Sequence, residues 1–358
     1  MVFSRRSKIY LVLILIAMVI VLGFTGCKAS DDQSSTGNGS AGKASAQKVV
    51  FHLNDFMPAT HPLNTNILEP WAKEVMQKTE GRVEIVVHPG NALAAPGDTY
   101  DAVVSGVAGM GLVLPAYTPG RFPMSQILEY PFMFTSALQA NMTAWDMLPI
   151  LQEHEYTDTE LLWFGGTDLG HFLLKTDVKT LADVKGKKLR SPGPIYNDVI
   201  KAIGAVEVSL PVSDLYDAVD RGIVDGTVMA PSALISFRLM EVTNHIALMN
   251  MYTTPLILFA NKELWNKVSP ADKKIIQDIV KTFPERIGKQ YDGEVEHAMS
   301  LAEEKGKDIY TFSDADMVRF HQLVDPLVKG WIAKLESAGK PGQELYDLAV
   351  AAAAKHKQ

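Results

Sequence analysis

Lys188-Leu189-Arg190-Ser191-Pro192-Gly193-Pro194 is a short strand, then a turn, then the opening of a helix predicted over residues 194–203. A further strand-like piece follows at 207–210 and a further helix at 212–221. Strand alternating with crossover helix is the pattern of an α/β protein. The pattern extends upstream, with strands at 161–164 and 171–174 and another at 110–114 ended by Pro115. A helix at 100–105 precedes these. Gly81-Arg82-Val83-Glu84-Ile85-Val86-Val87 alternates as a strand and is stopped by Pro89-Gly90, and Val49-Val50-Phe51-His52-Leu53 is the first strand. Between them, Ile67, Leu68, Trp71, Val75 and Met76 fall at helical spacing within 62–79. Downstream, 270–335 reads as mostly long amphipathic helix, interrupted at Pro284 and Pro326.

The chain has 358 residues, enough for a large core split over two lobes. Its N-terminus differs from the rest. Arg5, Arg6 and Lys8 precede an apolar run of roughly 14 residues, with no acid before Asp31. A spanning helix needs about 20 apolar residues, so the segment reads as a secretory signal over 1–26. Phe24-Thr25-Gly26-Cys27 resembles the bacterial lipobox, in which the cysteine is acylated and becomes the new N-terminus. Cys27 is the only cysteine, so processing leaves no thiol for disulfide, metal or catalysis. Residues 27–47 are small and polar and read as a flexible tether. Removing 1–26 takes three of 34 basic residues and none of 41 acidic ones, which leaves 31 − 41 = −10. Such a body argues against nucleic acid and against an anionic membrane face. An anionic ligand then needs a local cation.

Enzyme signatures are missing from the sequence. The nine histidines are scattered without a metal-ligand spacing. No Gly-x-Ser-x-Gly elbow occurs. Gly106-Val107-Ala108-Gly109-Met110-Gly111 lies between a helix and a strand and lacks the lysine of a phosphate loop. It reads as a helix stop and a tight strand entry. Neither a cofactor nor a metal is expected.

Arg190 is the cation best placed for binding. It ends a strand facing a helix start, where open α/β sheets place ligands. Its guanidinium is planar, permanently charged and suited to bidentate grip on a carboxylate. Position alone equally allows a surface arginine paired with Asp183 or Asp214.

The order of motifs goes further. Trp71-Ala72-Lys73-Glu74-Val75 leads through Thr79 to Gly81-Arg82-Val83-Glu84-Ile85. Pro119-Gly120-Arg121-Phe122-Pro123 and Leu128-Glu129-Tyr130-Pro131-Phe132 follow. Next comes Leu181-Ala182-Asp183-Val184-Lys185-Gly186-Lys187-Lys188-Leu189-Arg190, then Ile203-Gly204-Ala205. Tyr216-Asp217-Ala218-Val219-Asp220-Arg221-Gly222-Ile223-Val224-Asp225-Gly226 and Val242-Thr243-Asn244-His245 complete the set. In this order the chain resembles the extracytoplasmic solute receptors of tripartite ATP-independent periplasmic (TRAP) transporters, the C4-dicarboxylate and sialic-acid receptor family, over nearly all of 48–358.

The resemblance implies a two-lobe, type II periplasmic-binding-protein-like α/β fold. Lobe I is expected from 48–167 and 255–290, and lobe II from 168–254 and 291–358 with the C-terminal helices. One long helix within 264–305 would bridge the lobes. Ligand would bind between them, with Arg190 clamping its carboxylate and small and large integral-membrane subunits receiving it. Asn54, Phe56, His61, Leu114, Pro115, Tyr117, Gly193, Val212 and Met229 fall at or near the family's contact positions. Some relatives carry a second arginine where Gly170 stands, and His171 beside it is the substitute. Leu114 and Met229 replace polar contacts of sialic-acid binders. One cation in an apolar surround favours a monocarboxylate with an apolar body. Two rivals remain: a periplasmic enzyme on a carboxylic acid using His61 or His171 as base, and a receptor for an ATP-driven importer or sensor kinase.

Overall fold

The computed structural model describes residues 48–357. The signal segment, Cys27 and the tether lie outside the described residues. The first sheet has the order β2-β1-β3-β10-β4, from β1 (Val49–Asp55), β2 (Val83–His88), β3 (Met110–Val113), β4 (Thr159–Leu169) and β10 (Thr253–Asn261). The second has the order β11-β9-β5-β8-β6-β7, from β5 (His171–Leu174), β6 (Lys188–Ser191), β7 (Val206–Ser209), β8 (Gly226–Met229), β9 (His245–Leu248) and β11 (Asp308–Thr311). β1 runs parallel to β2 and β3, and β6 runs parallel to β7 and β8. β10 is antiparallel to its neighbours in the first sheet, as β5 is in the second. Central strands are apolar on both faces, Leu112, Val113, Ile257, Leu258 and Phe259 all being buried, because helices cover both sides.

The chain passes between the sheets at two adjacent places. Gly170 alone separates β4 from β5, and residues 249–252 separate β9 from β10. The two passages hydrogen-bond to each other, Gly170 N–H to Tyr252 O at 2.7 Å and Met251 N–H to Gly170 O at 3.0 Å. A Cβ on Gly170 would lie 3.2 Å from the Tyr252 ring. Gly170, expected to be replaced by a charge in some relatives, is therefore a tight crossing between the sheets in this chain.

Helix Phe283–Glu304 makes the third passage. Its buried residues Ile287, Gly288, Tyr291, Ala298 and Ala302 form one stripe at helical spacing. It packs on helix Ala137–His154 and β4 at one end and reaches β11 at the other. Gly288 permits the close approach, since a Cβ there would lie 2.5 Å from Leu138 Cα.

Three sequence expectations change. Pro326 sits inside one continuous helix, Asp314–Ser337, and Pro284 starts a helix rather than breaking one. β11 lies in the stretch read as helical, a four-residue edge strand too short to mark itself by period. Helix Gly342–Lys355, grouped by sequence with lobe II, packs on Ala137–His154 beside the first sheet. Its buried Leu345, Ala349, Ala352 and Ala353 supply the flat face for that contact.

Candidate functional site

Arg190 projects from β6 at the mouth of a cavity between the two sheets, with only 3% of its surface exposed. Its Nε–H donates to Leu210 O at 2.9 Å, and Nη2 lies 3.4 Å from the Tyr117 hydroxyl. Asp183 instead caps its own turn through Thr180, and among the described residues no carboxylate lies within ion-pair distance of Arg190. A guanidinium has five N–H donors, so 5 − 2 leaves three without a protein acceptor among those residues. A buried cation left that way carries a large desolvation penalty unless an anion joins it.

Tyr117 reaches this group from the first sheet. It ends the turn Pro115–Tyr117 that follows β3, and its hydroxyl also accepts from Val212 N–H at 3.0 Å. A second close approach lies alongside, where a Cβ on Gly193 would stand 2.7 Å from Ala116 Cβ. The lobes therefore meet directly over the guanidinium.

The cavity holds about 440 Å³ of space not filled by atoms, open solvent at its mouth included. Of the residues expected from sequence, Phe56, His61, Leu114, Tyr117, Arg190, Val212 and Met229 line it together. Four do not. The Asn54 carboxamide is fully engaged with the 93–99 loop, donating to Ala94 O and Thr99 Oγ1 and accepting from Leu93 and Ala94 N–H. His171 accepts from Met249 and Asn250 N–H and so fastens the inter-sheet passage. Burial lowers its pKa to about 4, so it is no second cation. Gly193 serves the lobe contact, and Pro115 starts the turn that presents Tyr117.

The sequence reading missed Met57, Thr167, Ser232, Phe237, Thr254 and Tyr291, which also line the cavity. Met57, Ser232 and Phe237 sit on loops with no motif of their own, and Thr167 and Thr254 lie on β4 and β10. A phenol on the apolar stripe of helix Phe283–Glu304 was the one available signal for Tyr291.

Two buried carboxyls stand behind the cavity wall and hold its Met57 and Ser232. Asp55 accepts from Met57 N–H and Asn64 Nδ2, and Asp168 accepts from Ser232 N–H and Oγ. Burial pushes both up to about 7 and does the same to Glu294 on the bridging helix. His61 is pushed down to about 4, again by burial. Arg190 is thus the strong positive pole of the cavity, which is otherwise neutral or mildly negative. Far from it, Asp177, His245 and Asp308 offer ligand atoms within 4.8 Å of one another. Lys179 Nζ already bonds Asp308 and lies 3.5 Å from Asp177, so a cation of the protein holds that cluster.

A family model described as bacterial extracellular solute-binding protein, family 7, matches residues 53–335. The chain belongs to this family. Its ordered motifs had implied the same, and the receptor is of the TRAP kind. It is 26% identical over 321 residues to the outer membrane transporter protein TsaT of Comamonas testosteroni, spanning 87% of this chain and 94% of that one. A marine metagenome TRAP solute-binding protein specific for aromatic acids, bound to metahydroxyphenylacetate, superposes with TM-score 0.81 at 26% identity, covering 87% and 100% of the two chains. A TRAP solute-binding protein of Rhodoferax ferrireducens with copurified benzoate gives 0.80 at 26% identity, covering 86% and 98%. One from Bordetella bronchiseptica with bound mandelate gives 0.79 at 25% identity, covering 86% and 100%. Among the described residues no helix is long and apolar enough to cross a membrane.

Proposed function

We propose that this receptor captures a small monocarboxylate with an apolar, ring-sized body, clamps its carboxylate with Arg190, and hands it to the small and large membrane subunits of a TRAP transporter. The observation that carries the reading is a buried guanidinium with three unclaimed donors on a cavity wall that also presents Phe56, Leu114, Val212, Met229 and Phe237, its other polar lining groups being uncharged. Hydrogen bonds to a charged group contribute about 1.5–3 kcal/mol each. Two would supply about half of the ~8 kcal/mol of a micromolar complex. A dicarboxylate would leave its second charge without a cation, since His61 and His171 are held neutral. The ring monocarboxylates bound by the three solved relatives agree with this chemistry.

Ligand would bind with the lobes apart and draw them together about the paired passages at Gly170 and 249–252, because only closure brings Tyr117 and Arg190 to one solute. At the N-terminus, cleavage after Gly26 and acylation of Cys27 would hold the receptor at a membrane, each buried CH₂ contributing about 0.8 kcal/mol. Metabolic labelling with an alkyne fatty acid should mark the wild type and not Cys27→Ser.

A thermal-shift screen of small carboxylates tests the main reading, since ligand raises stability by mass action. Aromatic and branched monocarboxylates should give the largest shifts, and Arg190→Ala should lose them while the apo protein stays folded. Succinate or sialate binding far more tightly would overturn the ligand class. Retention of full affinity in Arg190→Ala would overturn the clamp.

A further inference from the structure

His61 follows β1 and enters the cavity from the lobe opposite Arg190. Its Nδ1 accepts from Leu63 N–H at 3.1 Å. A nitrogen that accepts carries no proton, so the single N–H of the neutral ring is on Nε2. The residue is 3% exposed, and Nε2 has no protein partner among the described residues. The Phe237 ring, centroid 5.8 Å away, fixes the imidazole from its other side. Tyr291 adds a buried hydroxyl on the same cavity, also without a partner among the described residues. His61 follows a strand of the first sheet and Arg190 ends one of the second, so different parts of a ligand reach the two poles.

The chemistry of the acceptor follows from the surroundings. A charged oxygen would find no second cation there. On the Tyr291 side of the cavity it would also meet the carboxyls of Asp55, Asp168 and Glu294, which act on that hydroxyl. A hydroxyl, carbonyl or ether oxygen satisfies the donor without that repulsion.

We propose that His61 Nε2–H is a second recognition pole, reading an uncharged oxygen on the ligand remote from its carboxylate. The preferred solute is then a hydroxy- or oxo-bearing ring monocarboxylate. This rests on the carboxylate reading above and adds the group at the far end. Sites built to hydrogen-bond a substrate group discriminate against analogues lacking it far more strongly than apolar pockets do.

Calorimetry with benzoate, 3-hydroxybenzoate, 4-hydroxybenzoate and terephthalate on the full mature receptor tests it. At least one hydroxybenzoate should bind about 10-fold or more tighter than benzoate, about one hydrogen bond's worth, and terephthalate should be the weakest. In His61→Phe the hydroxybenzoate-to-benzoate affinity ratio should fall to within about 2-fold, whatever the absolute affinity. Because that variant also orphans Leu63 N–H, ¹⁵N-histidine NMR of the wild type gives an independent reading. It should show a protonated Nε2 and bare Nδ1 at neutral pH, with Nε2 shifted by the hydroxybenzoate and not by benzoate. Equal binding of parent and hydroxylated acids, a preference that survives in His61→Phe, or an Nε2 signal indifferent to the hydroxyl overturns the proposal and leaves the carboxylate reading intact. Failure of every acid to bind removes both.

Discussion

Replacing Tyr117 with phenylalanine should weaken ligand binding without destabilising the empty receptor. The ring would stay, still packed edge-on against Phe56 at 5.8 Å. What disappears is one oxygen that accepts from Val212 N–H at 3.0 Å and lies 3.4 Å from Arg190 Nη2, both partners belonging to the second lobe. Val212 is buried, so its N–H would lose its only acceptor in the closed form. In an opened cleft, water reaches the same N–H and nothing is lost. An unsatisfied buried donor costs about 1–3 kcal/mol, and the partial compensation open to Arg190 through Leu210 O points to the lower part of that range. A shift of about 1–2 kcal/mol against closure weakens affinity about 5- to 30-fold. Titration calorimetry with the best acid from the screen measures the first quantity, and calorimetric melting of the apo protein measures the second. Unchanged affinity, or an apo melting point that falls as far as that of the complex, would refute the reasoning. The hydroxyl would then support one lobe and not the union of two.

Gly193→Ala should act on the same closure, since its Cβ would press on Ala116 at 2.7 Å. Isothermal titration should show a loss of affinity of about 5- to 150-fold, from roughly 1–3 kcal/mol of overpacking, with the apo melt unchanged. Asn54→Ala should do the reverse, because its carboxamide holds the 93–99 loop by four hydrogen bonds and lines no cavity. Denaturant unfolding should show a loss of about 2–4 kcal/mol, with affinity nearly kept. Stability should rise on acidification from pH 8 to 5.5. Asp55, Glu155, Asp168 and Glu294 are pushed up to about 7, so the folded state binds more protons than the unfolded chain between about pH 4 and 7, and stability falls as pH rises through that window. His61 and His171, lowered to about 4, oppose this between about pH 4 and 6.5, but they are two groups against four. A melting point that drops steadily from pH 8 to 5.5 would contradict the balance. Glu129→Gln should leave the melt at pH 8 unchanged or raise it, because burial holds that carboxyl far above its ordinary range and neither oxygen has a partner among the described residues.

The fold was largely legible because its elements announce themselves locally. The Lys188–Ser191 strand, the Pro194–Ala202 helix and the Val206–Ser209 strand follow the expected order to within a residue or two. Helix Ala137–His154 was not read, since it is buried among β4 and two other helices and carries Pro149 in its interior, so it shows no clean polar face. Arg190 could be singled out from its place at a strand end before a turn. Asn54 could not be judged the same way. A buried carboxamide satisfied by a loop some 40 residues onward in sequence looks identical in one dimension to one awaiting a ligand. Tyr291, Ser232 and Phe237 converge only through tertiary structure, and no local period records that.

If Arg190 clamps the ligand as proposed, the donors around it would tie capture to closure. The strand fixes the guanidinium through Leu210 O within lobe II, which leaves its fork directed at the cavity whether or not the lobes meet. Tyr117 arrives from lobe I and shares its oxygen between that fork and Val212 N–H. Without an anion, closure buries three unclaimed N–H donors of a permanent cation, an expense that opposes it. With a carboxylate in place the same donors are satisfied, and the Tyr117 bond adds to the gain. On the proposed reading, closing is therefore unfavourable when empty and favourable when loaded. The short paired passages at Gly170 and 249–252 suit such a balance, because few backbone bonds must bend for the lobes to part. A membrane partner that recognises the closed surface would then meet chiefly receptors that carry cargo.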